Sequence, residues 1–230
     1  VIFDEMDDFV NSIKQIIEKS LTNIKQEHYP IINEHVIAHK ANIVKSIEEA
    51  FVLPPIKNAT PTATSDDDIV GLNEVIRENS NCIFFANQEI GKTTFLYRLA
   101  YEYTERYTQL RKVPVYIDVD EMGNKEIITI IKSYLSCNTE EAKTLLSEES
   151  LILLVDNLDY VAIKEEQSKR IYNFINEYQN LRIIATAKLE MEGFIPTTHL
   201  NNNRIAFKNF FINPFTTKQV KSLMKIWTPS

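Results

Sequence analysis

Ala86-Asn87-Gln88-Glu89-Ile90-Gly91-Lys92-Thr93-Thr94 decides how this 230-residue chain is read. It follows an apolar run, Cys82-Ile83-Phe84-Phe85, and leads into Phe95-Leu96-Tyr97-Arg98-Leu99-Ala100. The order strand, tight loop, helix places the first N–H groups of a helix where an anion can be held. Gly91 lets the backbone come close to that anion. Lys92 supplies a point charge for the β- and γ-phosphates, and the Thr93 hydroxyl a ligand for Mg²⁺. The pattern G-x-x-x-x-G-K-[ST] is met at every fixed position except the first, where Ala86 stands.

Outward from this loop, strands alternate with helices. Cys82–Ala86 is apolar throughout, as a strand buried on both faces should be. A helix is expected over 93–109, a strand over 113–119, and helices over 125–135 and 140–146, the second started by Asn138-Thr139-Glu140-Glu141. Further strands are expected over 151–155, 181–186 and 204–212, with helices over 163–178 and 216–227. That alternation predicts a parallel five-stranded sheet between helices.

The stretch to about Phe51 carries apolar residues at three- and four-residue steps, from Phe3 through Ile24 and on from Ile31 to Val44. It predicts two amphipathic helices, packed as a hairpin or continued as one broken rod, with Pro30 suiting a helix start. Residues 54–65 are polar and punctuated by Pro54, Pro55 and Pro61, and read as a linker. The expected division is therefore a helical segment over 1–53, a linker over 54–65 and the α/β domain over 66–230. Asp66-Asp67-Asp68 suits the N-terminus of a helix over 69–78. His35 and His39 lie four apart, but no glutamate follows His35 and no further ligand is near, so they read as surface histidines.

A net charge of −7 argues against a broad nucleic-acid-binding face, and Arg106, Arg111 and Lys112 make only a small basic patch. Cys82 and Cys137 are the only cysteines, so no disulfide framework is expected and a reducing, cytoplasmic setting fits. No apolar run approaches membrane-spanning length and no leader opens the chain. Val1, inside a helical pattern, and Ser230, just after one, read as cut ends of a larger protein.

A second motif lies at Leu151-Ile152-Leu153-Leu154-Val155-Asp156-Asn157-Leu158-Asp159. The apolar run ends in an acid at the carboxyl edge of the sheet, where ligands of open α/β sheets bind. There Asp156 is placed for the Mg²⁺ shell, and Asp159 for polarising an attacking water. The alternative is that both cap the next helix. The strand ending Thr186-Ala187-Lys188 brings a hydroxyl and a cation to the same edge, either to sense a γ-phosphate or to satisfy the backbone and face solvent. An Asn-Lys-x-Asp base-reading motif is lacking, since Asn124-Lys125-Glu126-Ile127 has no acid at its fourth position. Adenine is preferred over guanine.

With Asn213-Pro214-Phe215-Thr216-Thr217-Lys218-Gln219-Val220 added, the order of motifs over residues 66–228 resembles the STAND signalling NTPases, particularly bacterial NACHT-like ones. The resemblance implies a P-loop NTPase domain binding ATP or ADP with Mg²⁺. Lys92, Thr93 and Asp156 take the phosphate and metal contacts, with Thr93 and Asp156 on the metal. Asp159 matches the second acid, and Lys188 falls where an arginine is common. Glu89, Ile90, Gly91 and Thr94 contribute mainly backbone or loop contacts. Three departures stand out: Ala86, Asn157 where glycine is frequent, and Tyr160 where a further glutamate often assists hydrolysis.

The family implies a nucleotide-controlled switch. ADP holds a closed monomer; a signal permits ATP exchange and homo-oligomerisation, activating an attached effector, which in bacterial relatives often serves defence against phage. Sensor, lid and effector segments are expected outside this stretch. The alternatives are a degenerate nucleotide-binding scaffold without hydrolysis and a DNA-associated P-loop ATPase.

Overall fold

A computed structural model describes residues 2–36, 46–58, 69–159, 165–192 and 207–227. His39, Asp66-Asp67-Asp68 and Tyr160 lie outside the described residues.

Six strands form one sheet: β1 (Ile56–Lys57), β2 (Asn81–Ala86), β3 (Val113–Asp118), β4 (Leu151–Asp156), β5 (Arg182–Lys188) and β6 (Phe207–Ile212). Their spatial order is β1-β6-β2-β5-β4-β3. The five strands expected from the sequence pair in parallel, but β1 adds an antiparallel edge to β6, so the sheet is mixed rather than five parallel strands. Two residues are too few for period-two alternation to show, and flanking prolines gave the stretch the look of a linker. Ile56 is nevertheless buried, its carbonyl accepts Val70 N–H at 2.8 Å, and the Pro55 carbonyl accepts Asn213 N–H at 2.9 Å.

Strand alternation divides the core into two layers. Ile83, Phe85, Leu153 and Val155 face α1 (Ile2–Asn23), α7 (Ile127–Leu135), α8 (Thr139–Ser147) and α9 (Glu165–Glu177). Cys82, Phe84, Ile152 and Leu154 face the other layer, with α3 (Ile47–Ala50), α4 (Leu72–Arg77) and α5 (Lys92–Glu105). Burial on both faces is why the strands read as continuous apolar runs. Asn138 caps α8 as its sequence predicts, accepting Glu141 N–H while the Glu141 carboxylate accepts Asn138 N–H. Cys82 and Cys137 are both free.

The first segment is one rod. α1 continues through a π-helical turn, Ile24–His28, into α2 (Tyr29–Val36), so Pro30 does not start a new helix. Proline has no N–H to give the turn before it, and the wider turn shifts the bonding there, with Tyr29 N–H reaching the Ile24 carbonyl. The rod lies along the domain. Asn23 Nδ2 and His28 Nε2 donate to the Tyr134 carbonyl at 2.8 and 2.9 Å, and the His28 ring stacks on Tyr134. Burial lowers the His28 pKa.

α6 (Tyr107–Leu110) continues from α5, and α10 (Thr217–Trp227) follows β6. The chain passes from β2 at mid-sheet to the far edge at β3, returns through β4 and β5, then crosses to β6 on the other side of β2. β2 is thus a switch point, and its carboxyl end opens a crevice. No described helix is long and apolar enough to cross a membrane.

Candidate functional site

The carboxyl ends of β2, β5 and β4 meet in that crevice. β2 ends at Ala86, buried and paired with Lys188, and the chain turns back through 87–91 into α5. The left-handed conformations fall at Glu89 (φ 62°) and Gly91 (φ 86°), not at Ala86. Alanine at the strand end is therefore unstrained, and the glycine the loop requires is Gly91. No side chain caps the start of α5; the first intrahelical bond is Phe95 N–H to the Gly91 carbonyl at 2.9 Å. The preceding N–H groups remain for an anion.

Lys92 folds back across the loop, its Nζ 3.1 Å from the Asn87 carbonyl. Burial lowers the Lys92 pKa, while the carboxylates of Asp159 and Asp156 oppose that shift. Glu89 sits exposed at the loop tip, with Ile90, Thr93 and Thr94 half-buried behind it.

At the end of β4, Asp156 is fully buried and held on every side. Oδ2 accepts the Thr93 hydroxyl at 2.6 Å and the Tyr116 hydroxyl at 3.0 Å. Oδ1 accepts the Thr186 hydroxyl, and Asn157 N–H at 3.1 Å. Thr186 thus serves Asp156 from β5, the strand between the loop strand and the acid strand. Asn157 has φ 57°, which explains why this position suits glycine or asparagine, and its Nδ2 donates to Asp118 Oδ1 at 3.2 Å.

Asp159 is also buried. Its Oδ1 accepts the backbone N–H of Lys188 at 2.6 Å, and Oδ2 pairs with Lys188 Nζ at 3.1 Å, which raises the Lys188 pKa. Burial raises the pKa of Asp120, helped by the neighbouring carboxylates of Asp118 and Asp159.

A cavity of about 290 Å³ adjoins the loop. Its walls are Ile90, Gly91 and Thr94 on one side, Phe51, Val52 and Pro54 on another, and Pro214, Phe215 and Leu223 opposite. Gln219 closes it by donating Nε2 to the Leu53 carbonyl at 2.7 Å, and exchanges capping bonds with Thr216 at the start of α10. The expected site residues Gly91, Lys92, Thr93, Asp156, Asp159 and Lys188 come together at one sheet edge. Glu89, Ile90 and Thr94 line the cavity. Sequence reasoning missed Tyr116 and the walls from 51–54.

Among the described residues no group of three or more His, Cys, Asp or Glu could hold a metal by itself. A hydroxyl and a carboxylate at hydrogen-bond distance are a hard oxygen set that suits Mg²⁺, an ion that takes its other ligands from phosphate and water.

No family model matches the chain, and neither does any curated protein. Solved structures do. The Aeropyrum pernix Orc1 protein in complex with DNA is 13% identical over 64% of this chain and 42% of that one, with a TM-score of 0.44. A point variant of Thermotoga maritima RuvB is 16% identical over 65% and 43%, with a TM-score of 0.39. AMPPCP-bound DnaA from Aquifex aeolicus is 16% identical over 61% and 48%, with a TM-score of 0.38. The chain spans less than half the length of each. Its own sheet edge has the P-loop architecture: strand, loop and helix, with an acid-ended strand one strand removed.

Proposed function

We propose that this chain is the nucleotide-binding switch domain of a STAND-type, NACHT-like signalling NTPase. It takes ATP or ADP with Mg²⁺ and turns ATP over slowly. The observation that carries the reading is the 2.6 Å bond between Thr93 and Asp156 beneath the uncapped start of α5. Each residue then has a task. The N–H groups after Gly91 hold phosphate, and Lys92 exchanges the neutral Asn87 carbonyl for a charged oxygen, a stronger acceptor. Thr93 gives its proton to Asp156 and keeps its lone pairs for the cation. Mg²⁺, when bound, neutralises charge on the phosphates. The cavity beside Ile90 and Thr94 takes the nucleoside.

Slow turnover follows from Asp159. Both its oxygens are engaged by Lys188, so it must release the lysine before it can polarise water. A γ-phosphate at this edge offers Lys188 a competing anion. The same geometry favours a second reading, a scaffold that binds nucleotide without hydrolysis. By the family resemblance, the domain works in the cytoplasm with an effector and a sensor attached, and oligomerises with ATP.

Phosphate release and sedimentation in ATP–Mg²⁺ and in ADP–Mg²⁺ test this. The switch reading expects release over hours, lost in Lys92→Ala, and a larger species with ATP only. Bound nucleotide with no release gives the scaffold. Equal size in both nucleotides removes the switch.

A further inference from the structure

Asp156 presents about four lone-pair sites as a carboxylate, and four donors take them: the hydroxyls of Thr93, Tyr116 and Thr186 and the N–H of Asn157. Three of these lie on the elements already assigned to the site, α5, β5 and the turn after β4. The fourth, Tyr116, lies on β3.

Its geometry is specific. In the register of the parallel pair, Tyr116 stands opposite Leu154 and Asp118 opposite Asp156. Asp156 is therefore the diagonal neighbour of Tyr116, two residues along the partner strand. Diagonal neighbours are roughly 7–8 Å apart, a span that long aromatic side chains bridge and a serine or threonine does not. The hydroxyl at the far end of the ring meets Oδ2, the oxygen that also holds Thr93. The ring in turn packs on Tyr97 of α5, with centroids 4.8 Å apart. One side chain thus ties the helix that begins at Lys92 to the acid that ends β4.

We propose that Tyr116 is a positioning residue for the Mg²⁺–nucleotide complex. It fixes the Asp156 carboxylate so that the acid orients the Thr93 lone pairs toward the cation. With its four sites taken, Asp156 acts on the ion through Thr93. This inference rests on the nucleotide reading above and adds a residue that no part of the loop or acid motif contains.

Tyr116→Phe tests it, because the ring and its contact with Tyr97 remain and only the hydroxyl is lost. Titrate ADP calorimetrically into wild type and variant, once with Mg²⁺ and once with EDTA, and record both melting curves. The expected result is affinity lowered roughly tenfold in Mg²⁺, the lower end of what loss of an outer-shell partner costs, with affinity in EDTA within about twofold of wild type. A packing role alone leaves the variant like wild type in both buffers. An identical gain from Mg²⁺ in the two proteins, or an equal loss in both buffers, overturns the proposal while the nucleotide reading stands. No ADP binding by the wild type overturns that reading and this inference with it.

Discussion

Thr93 and Asp156 stand 63 positions apart in the chain and are joined by a hydrogen bond of 2.6 Å. The first turn of α5 and the last residue of β4 are not on neighbouring strands; β5 runs between them and contributes Thr186 to the same carboxylate. Two stretches that are each weak signals alone become one site through this contact.

Asp156→Ala should destabilise the protein by about 2–4 kcal/mol. It strands three hydroxyls with no acceptor, and each buried unpaired donor costs on the order of 1–3 kcal/mol, partly relieved by water entering the gap. Urea denaturation reads the loss. Unchanged stability would mean that the carboxylate does not organise this edge.

The loop makes opposite predictions for its two small residues. Restoring the missing glycine with Ala86→Gly should lower stability by roughly 1 kcal/mol, because Ala86 is a buried strand residue without a left-handed backbone, and should leave ADP affinity unchanged. Gly91→Ala should cost about 1–2 kcal/mol and weaken nucleotide binding. A Cβ there would meet nothing within 4 Å, so the cost is the backbone at φ 86° alone. Melting curves paired with ADP titrations separate the two.

The sequence carried the parts of the fold that are written locally. β4 is buried over its whole length, and its run of five apolar residues ending in Asp156 announced both strand and edge. The start of α8 was legible because Asn138 and Glu141 make their capping bonds with each other. β1 was not, since Ile56 becomes a strand only because β6 offers an edge to it. Pro30 obeyed a local rule that packing overrode, once Asn23 and His28 had found the Tyr134 carbonyl. Tyr116 was hidden for a similar reason. Its reach to Asp156 depends on the β3–β4 register, which no residue pattern specifies.

Asp159→Asn separates chemistry from binding. If Asp159 polarises the attacking water, phosphate release should fall about 10²-fold or more. ADP affinity should stay within about twofold. Wild-type turnover in the variant would remove Asp159 from the reaction and leave it a tie for Lys188.

Glu78 gives the fold a predictable acid response. Hydrogen bonds from Lys208 and from the Ser80 hydroxyl and N–H hold its carboxyl down to about 2, against an ordinary value of 4.5. A depressed folded-state value contributes stability that is fully present above the unfolded value and lost as pH falls through the folded one. Between about pH 4.5 and 2 the wild type should therefore lose stability that Glu78→Gln does not lose. Denaturation midpoints across that window should converge for the two proteins at the acid end. Parallel curves would show that Lys208 does not pin β6 to the turn before β2.

The central claim is that this sheet edge holds a nucleotide by its phosphates. Calorimetric titration of ADP with Mg²⁺ into wild type and Lys92→Ala tests it most directly. The account predicts saturable binding to the wild type and an affinity at least roughly tenfold lower in the variant, about 1.4 kcal/mol, with both proteins melting at similar temperatures. Equal affinity in the two, or no binding to the folded wild type, would contradict it.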